Sequence, residues 1–566
     1  MAAVWRSAFV ARLPNRHQLA ALGRRSQQIL LMAGATGVLT GVAVAAFEWI
    51  TAEVLFDAVL RLPVVLQAGA PIVGLIGAAA ALRWVANGAS PATADEYIRT
   101  FHEPGAGLDV RPVAGRMLAA VATLGGGGAL GYEGPSIYAG AAIGSRLQRR
   151  FTRYFGVDDA KVLLVAGAAA GVAAIFKAPV TGVVFALEVP YQEDLARRML
   201  LPAAISAAAS YVTFVAIAGT EPLLPVAGQP PFNLVDLGGA ALVGLSSGLL
   251  ARLFIRIVRK AKEVADGGRP LARAVCAGAC LAAVFAGGRL LGGTNLTLGA
   301  GYDGLRWALE DDRALLAIVA MGTLRVAATA ATVAGGGTGG LFIPLVIQGA
   351  LVGRVIGGLF DSANATLFPV VGIAAFLGAG YRVPLAAVVF VAEFTGRPGF
   401  VVPGLIAAVV AQLVMGRTSI SPYQVAGRAG HLEHRLQLPL SMVLETDSPT
   451  VPPDASIEEF FWSHLVGTRQ RAVAVVDGST YLGLARADEL AMVAREGWMT
   501  TPVIDVMVTD IPVADLSWTV GDAAHAMTEA DTDRMAVCSD GAFVGVVSVQ
   551  GIVSLGEILD RSAGRP

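Results

Sequence analysis

Charge is scarce in this 566-residue sequence: Asp, Glu, Lys and Arg make up 15% of it, and 43 acidic against 42 basic side chains leave a formal net charge of −1. That balance gives no electrostatic footing for a nucleic-acid partner. Cysteine is rarer still, with Cys276, Cys280 and Cys538 alone, too few for a disulfide framework. Cys276 and Cys280 stand four apart on an apolar helical pattern and read as small packing residues. His431 and His434 in "GHLEHRL" lie one turn apart without further ligands, which predicts a linker rather than a metal site. No nucleophile with an attendant base, no Gly-Lys-Ser/Thr phosphate loop and no haem or metal cluster is present, so neither enzymatic activity nor a bound metal is expected.

Apolar residues are abundant instead, at 55% of the chain. Runs such as "ILLMAGATGVLTGVAVAAFEWI" (29–50), "LGGAALVGLSSGLLARLFI" (237–255) and "LLAIVAMGTLRVAATAATVAGGG" (315–337) approach the roughly 20 residues that a helix needs to cross a bilayer. A multi-pass protein of the cell (inner) membrane is therefore expected. Two other apolar pieces, 134–144 and 339–352, are too short to span and are punctuated by Gly and Pro, which predicts broken helices ending at mid-depth. Arg6, Arg12, Arg16, Arg24 and Arg25 precede the first long run, and four more arginines lie in "SRLQRRFTRYF"; positive-inside bias assigns both segments, and the N-terminus, to the cytoplasm. The first run is too long for a removed signal and lacks a small-residue cleavage site, so it reads as an anchor.

The sequence repeats itself. "TLGGGGALGYEGP" (123–135) aligns without a gap to "TVAGGGTGGLFIP" (332–344) at an offset of 209 residues, which also sets Gly140 and Gly144 on Gly349 and Gly353. "FKAPVTGVVFALE" (176–188) aligns with "YRVPLAAVVFVAE" (381–393) at an offset of 205. Two ordered blocks argue for duplication, and duplicated membrane halves place their site where equivalent broken helices meet. Here those helices start after Gly131 and after Gly340.

Glu133 is the one carboxylate inside the first glycine-rich block. Gly125–Gly128 leave the backbone bendable, and Pro135 suits a first helical turn, so a helix is expected from about Gly134. Its unpaired N–H groups and positive dipole end make an anion site without any basic side chain, and "GLFIP" repeats the arrangement. Glu133 at the mouth of that site is a tethered competitor for the anion. A helix end stabilises a negative charge by about 0.3–2 kcal/mol, whereas an acid at mid-membrane costs about 2.5–3.5 kcal/mol. Neither effect dominates, so the side chain is expected to swing or to take a proton. A fixed cap is the alternative, although its counterpart in the other half is the apolar Phe342.

These residues resemble the CLC family of chloride channels and anion/proton exchangers. "GYEGP" is similar to the family's GREGP or GKEGP motif, which implies that Glu133 gates, flanked by Gly131, Tyr132 and Gly134. "GLFIP" matches GxFxP and implies anion-binding backbone amides at Leu341, Phe342 and Ile343. "SPYQ" (421–424) assigns to Tyr423 the hydroxyl that closes the inner side. Where the family shows GSGIP this chain reads "PATAD" (91–95), placing Ala92 at the serine position with Thr93 adjacent. Tyr132 replaces the family's Arg or Lys before the glutamate, removing a cation from the outer entrance. The resemblance implies a homodimer with one pore per subunit, and a fold that is all-α and polytopic, of two inverted repeats with broken helices, followed by a cytoplasmic α/β tail.

Exchangers of the family usually carry an inner proton acceptor one residue beyond the acid of "FALEVPY", and here Glu188 is followed by Val189. The expectation is a pH-sensitive chloride channel gated by Glu133. The alternative is a chloride/proton or other halide/proton antiporter in which Glu188 or water relays the proton; the symmetry of Glu188 with Glu393 favours a structural role at a helix end. A cation-coupled carrier of organic solutes is a remote third reading, disfavoured because helix N-termini repel cations.

After about residue 430 short β-branched runs alternate with polar turns, which predicts a soluble domain. "RAVAVVDGSTYLGLARADEL" (471–490) resembles "RMAVCSDGAFVGVVSVQGIV" (534–553), each a strand, a DG turn, a strand and a helix start. The tail is similar to a pair of CBS domains, most clearly at 503–527. Such pairs bind adenine nucleotides through a hydroxyl and a carboxylate; here Ser548 faces Gly551, and the first repeat has Arg486 and Glu489, so half of each pair remains. The expected organisation is 1–28 cytoplasmic, 29–425 anion permeation (halves about 29–220 and 236–425), 426–440 linker and 441–562 the CBS pair.

Overall fold

The longest apolar runs become the longest helices. The computed structural model describes residues 16–555 except 104–106, 156–160, 222–231, 294, 310–313, 359–365, 428–435, 467–471 and 491. His431, His434, Arg6 and Arg12 lie outside the described residues. The chain divides into two units, Met1–Gly427 and Arg428–Pro566.

In the first unit, α1 (Arg16–Glu48), α2 (Val64–Ala80), α3 (Ala94–His102) and α4 (Val110–Gly125) precede the first glycine-rich turn. There follow α5 (Glu133–Arg150), α6 (Val162–Ile175), α7 (Pro179–Glu188) and α8 (Leu200–Ala218). The second half contains α9 (Leu234–Ala265), α10 (Pro270–Gly292), α11 (Tyr302–Leu309), α12 (Leu315–Ala334), α13 (Phe342–Gly357), α14 (Leu367–Tyr381), α15 (Pro384–Thr395) and α16 (Val401–Met415). Seven helical stretches among the described residues are long and apolar enough to cross a membrane, Gln27–Leu60 and Leu234–Ala265 among them. The shorter helices α6, α7, α13, α14 and α15 cannot span, and they form the interior instead. Every residue of α6 and of α14 is buried, so their unbroken apolar runs mark protein core rather than lipid contact.

The two halves interlock through paired contacts. The amide of Ala129 donates to Thr332 Oγ1 and that of Thr338 to Thr123 Oγ1, both at 3.0 Å, and the 209 offset turns one bond into the other, Ala129 falling on Thr338 and Thr123 on Thr332. Gly131 and Gly340 exchange backbone hydrogen bonds of 2.8 and 2.7 Å in an isolated antiparallel bridge. Close helix packing is duplicated as well: a Cβ on Gly140 of α5 would collide with the carbonyl oxygen of Gly167 in α6, and one on Gly349 of α13 with that of Gly372 in α14.

The second unit holds two three-stranded sheets of one design. β1 (Thr450–Val451) pairs parallel to β2 (Ala472–Asp477), which pairs antiparallel to β3 (Thr480–Arg486). β4 (Ala514–Asp515), β5 (Arg534–Ser539) and β6 (Ala542–Ser548) repeat the order, with a bulge at the matching place in β2 and β5. The DG turns place Gly478 and Gly541 at φ +61° and +81°, a conformation that costs glycine nothing.

Candidate functional site

The Gly131–Gly340 bridge brings the first turns of α5 and α13 together. Helix α5 begins at Glu133, one residue before the position expected from Pro135, and α13 begins at Phe342. The two starts touch: a Cβ on Gly134 would lie 2.8 Å from the Gly340 Cα. Two sets of unpaired amides and two positive dipole ends therefore converge on one point inside the protein.

Glu133 occupies that point and is 1% exposed. Its Oε1 accepts from the Phe342 amide at 2.6 Å, and the amides of Ile343 and of Glu133 itself also bear on the carboxylate. A Cβ on either Gly131 or Gly340 would collide with this carboxylate, which is why both positions are bare. Its other oxygen, Oε2, is buried without a partner. Two further buried oxygens lack partners nearby in the chain, Thr93 Oγ1 and Thr338 Oγ1. Thr93 precedes α3, and a Cβ on Gly134 would lie 2.6 Å from its hydroxyl, so Thr93 is the "PATAD" residue packed on the site. Ala92 is only partly buried.

Tyrosines flank the carboxylate. The Tyr132 ring stacks on Tyr302, centroids 6.5 Å apart and planes 12° apart, and meets Phe47 edge-on. Tyr302 opens α11 and is the counterpart of Thr93 at the 209 offset, so the two halves contribute unlike side chains. Each half also uses one arginine to hold the loop before its short helix. Arg116 donates to Ser90 and to the Tyr138 hydroxyl and pairs with Glu96; Arg325, its counterpart, donates to the carbonyls of Thr297 at 3.1 Å and Ala300 at 3.0 Å. Leu341 and Phe342 are buried, and the Phe342 ring packs against Phe176, Phe185 and Phe390.

Tyr423, expected at the inner closure, is 42% exposed, because the buried neighbour that fixes this segment is Gln424. Gln424 Nε2 donates to the carbonyls of Val189 at 2.8 Å and Tyr381 at 2.7 Å. The tyrosine brought to the site is Tyr381, buried and edge-on to Phe185, with its hydroxyl near the Leu341 backbone. Sequence reading missed it; the signal was available where the repeat sets Tyr381 on Phe176, a hydroxyl in one copy only.

Val189 is buried and apolar. Glu188 is buried, and its oxygens accept from the amides of Leu385 at 3.1 Å and Ala386 at 2.8 Å, the first free amides after Pro384 in α15. Glu393 returns the contact, accepting from the amides of Val180 and Thr181 in α7 and from the Thr181 hydroxyl. Cys276 and Cys280 are a correction, for both are exposed on the outside of α10 rather than packed. A membrane protein's lipid face is as apolar as its core, so composition alone does not tell the two apart.

In the tail, the Ser548 hydroxyl donates to Glu445 Oε1 at 2.6 Å, so this hydroxyl is already engaged by a carboxylate of the same unit. Arg486 grips Asp488 with two bonds of 3.1 and 2.6 Å, which holds the Asp488 carboxyl below its usual range. Glu489 lies in the short helix Ala487–Leu490 after β3, and no side-chain hydrogen bond joins it to Ser548. Among the described residues no cluster of three or more His, Cys, Asp or Glu side chains is arranged to hold a metal.

Half-helices meeting at a buried carboxylate inside a duplicated membrane bundle define an anion-transport protein. Residues 73–416 match the family described as voltage gated chloride channel, and residues 503–563 match the CBS domain. The chain belongs to the voltage-gated chloride channel (CLC) family, an integral, multi-pass membrane protein with C-terminal CBS domains. It is 29% identical over 310 residues to the H(+)/Cl(-) exchange transporter ClcA of Vibrio parahaemolyticus, a match covering 52% of this chain and 65% of that relative's length. The ClcA of Salmonella paratyphi B is 26% identical over 442 residues, 72% of this chain and 89% of the relative. Among solved structures, the fold is similar to a slow cyanobacterial Cl-/H+ antiporter (TM-score 0.60, 21% identity, 68% of this chain and 94% of that one). It is also similar to a eukaryotic CLC transporter (TM-score 0.59, 18% identity, 93% of this chain and 98% of that one).

Proposed function

We propose that this chain exchanges chloride, or a similar small anion, for protons across the cell (inner) membrane, as a homodimer whose N-terminus and CBS domains are cytoplasmic. The observation that carries the reading is the Glu133 carboxylate seated on the Phe342 amide where α5 and α13 converge. An anion and this carboxylate need the same donors, so each must leave for the other to bind. Protonation releases the side chain, because a neutral acid gains little from amide dipoles that favour negative charge. Anion entry is thereby tied to proton uptake at Glu133, with Gly131, Tyr132, Gly134, Leu341, Phe342, Ile343 and Thr93 lining the place exchanged. The relatives named as exchangers support coupled transport over the passive channel that Val189 first indicated.

A second reading keeps one specific support: Val189 is apolar and Glu188 is held by two amides, leaving no free acid at the inner position. Passive conduction follows if water alone cannot carry the proton past Val189. Purified protein in liposomes separates the two. An outward-directed anion gradient that drives protons uphill establishes exchange, and anion flux without proton movement overturns it.

Thr93→Val tests the hydroxyl beside Gly134. Loss of one hydrogen bond to an anion costs about 1.5–3 kcal/mol, so the apparent anion affinity is expected to weaken roughly tenfold or more. Thr93→Ser should retain it, as measured by flux against anion concentration.

A further inference from the structure

The outside of α10 carries a groove of about 840 Å³ that the anion site does not use. Its floor is apolar, formed by Ala272, Cys276 and Cys280 of α10 with Ala331 and Ala334 of α12, two helices long and apolar enough to span. One end is cationic, because Arg269 and Arg273 line it. Nearby basic side chains are already engaged: Lys260 pairs with Glu263 and Lys262 with Asp95. Among the described residues neither Arg269 nor Arg273 makes an ion pair with a carboxylate, although Asp266 is close enough to be felt. Arg273 gives one bond, to the Gly267 carbonyl at 2.6 Å, and its Nε is buried without a partner.

We propose that this groove binds one anionic glycerophospholipid, an acyl chain lying along Ala272, Cys276 and Cys280 and the phosphate meeting Arg269 and Arg273. The argument is complementarity of charge and of phase. A cavity of this size suits a long apolar ligand. Two guanidiniums without a carboxylate partner at the end of an apolar slot offer the planar donors that a phosphate accepts in pairs. Residues 252–273 hold seven basic and two acidic side chains, the bias of a membrane face that meets anionic headgroups.

The site also touches the transport machinery. The Arg273 guanidinium lies against Gly336, where a Cβ would be 2.9 Å from Nη2, and Gly336 has φ +81°. Gly336 belongs to the turn between α12 and α13, so a headgroup drawing on Arg273 acts on the segment that presents Gly340 and Phe342.

The test uses full-length protein in vesicles of phosphatidylcholine alone or with a quarter phosphatidylglycerol, with native mass spectrometry for bound lipid and anion flux for effect. A preference for phosphatidylglycerol on the order of tenfold is expected, since each basic residue near an anionic headgroup contributes appreciably, together with faster flux. The double variant Arg269→Gln/Arg273→Gln should lose the preference, Arg269→Lys/Arg273→Lys should keep most of it, and Cys280→Trp, which fills the groove away from the charges, should lose the bound lipid. Equal binding of the two lipids by the unaltered protein overturns the proposal without any variant. So does a Cys280→Trp protein whose oligomeric mass changes by light scattering while its lipid preference persists, since that outcome makes the groove a contact between copies.

Discussion

Glu133→Gln is expected to abolish proton movement while leaving anion flux in place. The amide keeps the size of the side chain and one oxygen for the Phe342 N–H, so the helix starts stay apposed. What it removes is the charge that competes with the anion and the only group at this point able to carry a proton in the relevant pH range. In the unaltered protein, falling pH neutralises the carboxylate and weakens its hold on the amides of α13. The anion then enters more readily, so flux rises as pH falls. In Glu133→Gln there is nothing to titrate at the mouth, and flux becomes flat with pH. A chloride gradient should drive uphill proton transport in wild-type liposomes and none above background in the variant. Uphill proton transport that survives the substitution would place the coupling elsewhere and remove the carboxylate from the mechanism.

The site was legible where its chemistry is local. Gly, Pro and one acid in "GYEGP", matched by "GLFIP", specify two helix starts and an intruding charge through backbone rules that need no tertiary knowledge. The duplication made their apposition readable, since neither half alone says what its broken helix faces. Tertiary choices were harder to read. Tyr381 reaches Leu341 and Tyr423 does not because Gln424, beside it, buries its amide among the carbonyls of Val189 and Tyr381 and turns Tyr423 outward. Cys276 and Cys280 sit on an outer face that has the same apolarity as the interior. Arg116 and Arg325 could have been found from the sequence, for they share the 209 offset of the first block. Arg325 donates to loop carbonyls and Arg116 pairs with Glu96, a difference that only the surrounding loops decide.

Glu188→Ala is expected to destabilise the membrane unit by about 2–4 kcal/mol, because it strands the buried Ala386 amide, which costs about 1–3 kcal/mol unpaired, and the part-buried Leu385 amide, which costs less. Pro384 removes one orphan donor from the start of α15, and Glu188 satisfies the next two, Leu385 and Ala386. The carboxylate also sits at the positive end of α15, where its charge is favoured. Glu393 repeats the device at the start of α7, after Pro179, with a third bond to the Thr181 hydroxyl. Glu188 is more deeply buried than Glu393, so its loss should be the larger of the two. Glu188→Gln keeps one good acceptor and should cost about half as much. Thermal unfolding midpoints in detergent measure both substitutions. The same Glu188→Gln protein separates structure from transport: a cap predicts a lower midpoint with the proton-to-anion ratio unchanged, whereas a relay predicts the ratio collapsing with the midpoint near that of the unaltered protein. The double variant Glu188→Gln/Glu393→Gln should lose less than the sum of the single losses, because the two carboxylates tie the same pair of helices end to end and the first loss already loosens the contact that the second supports.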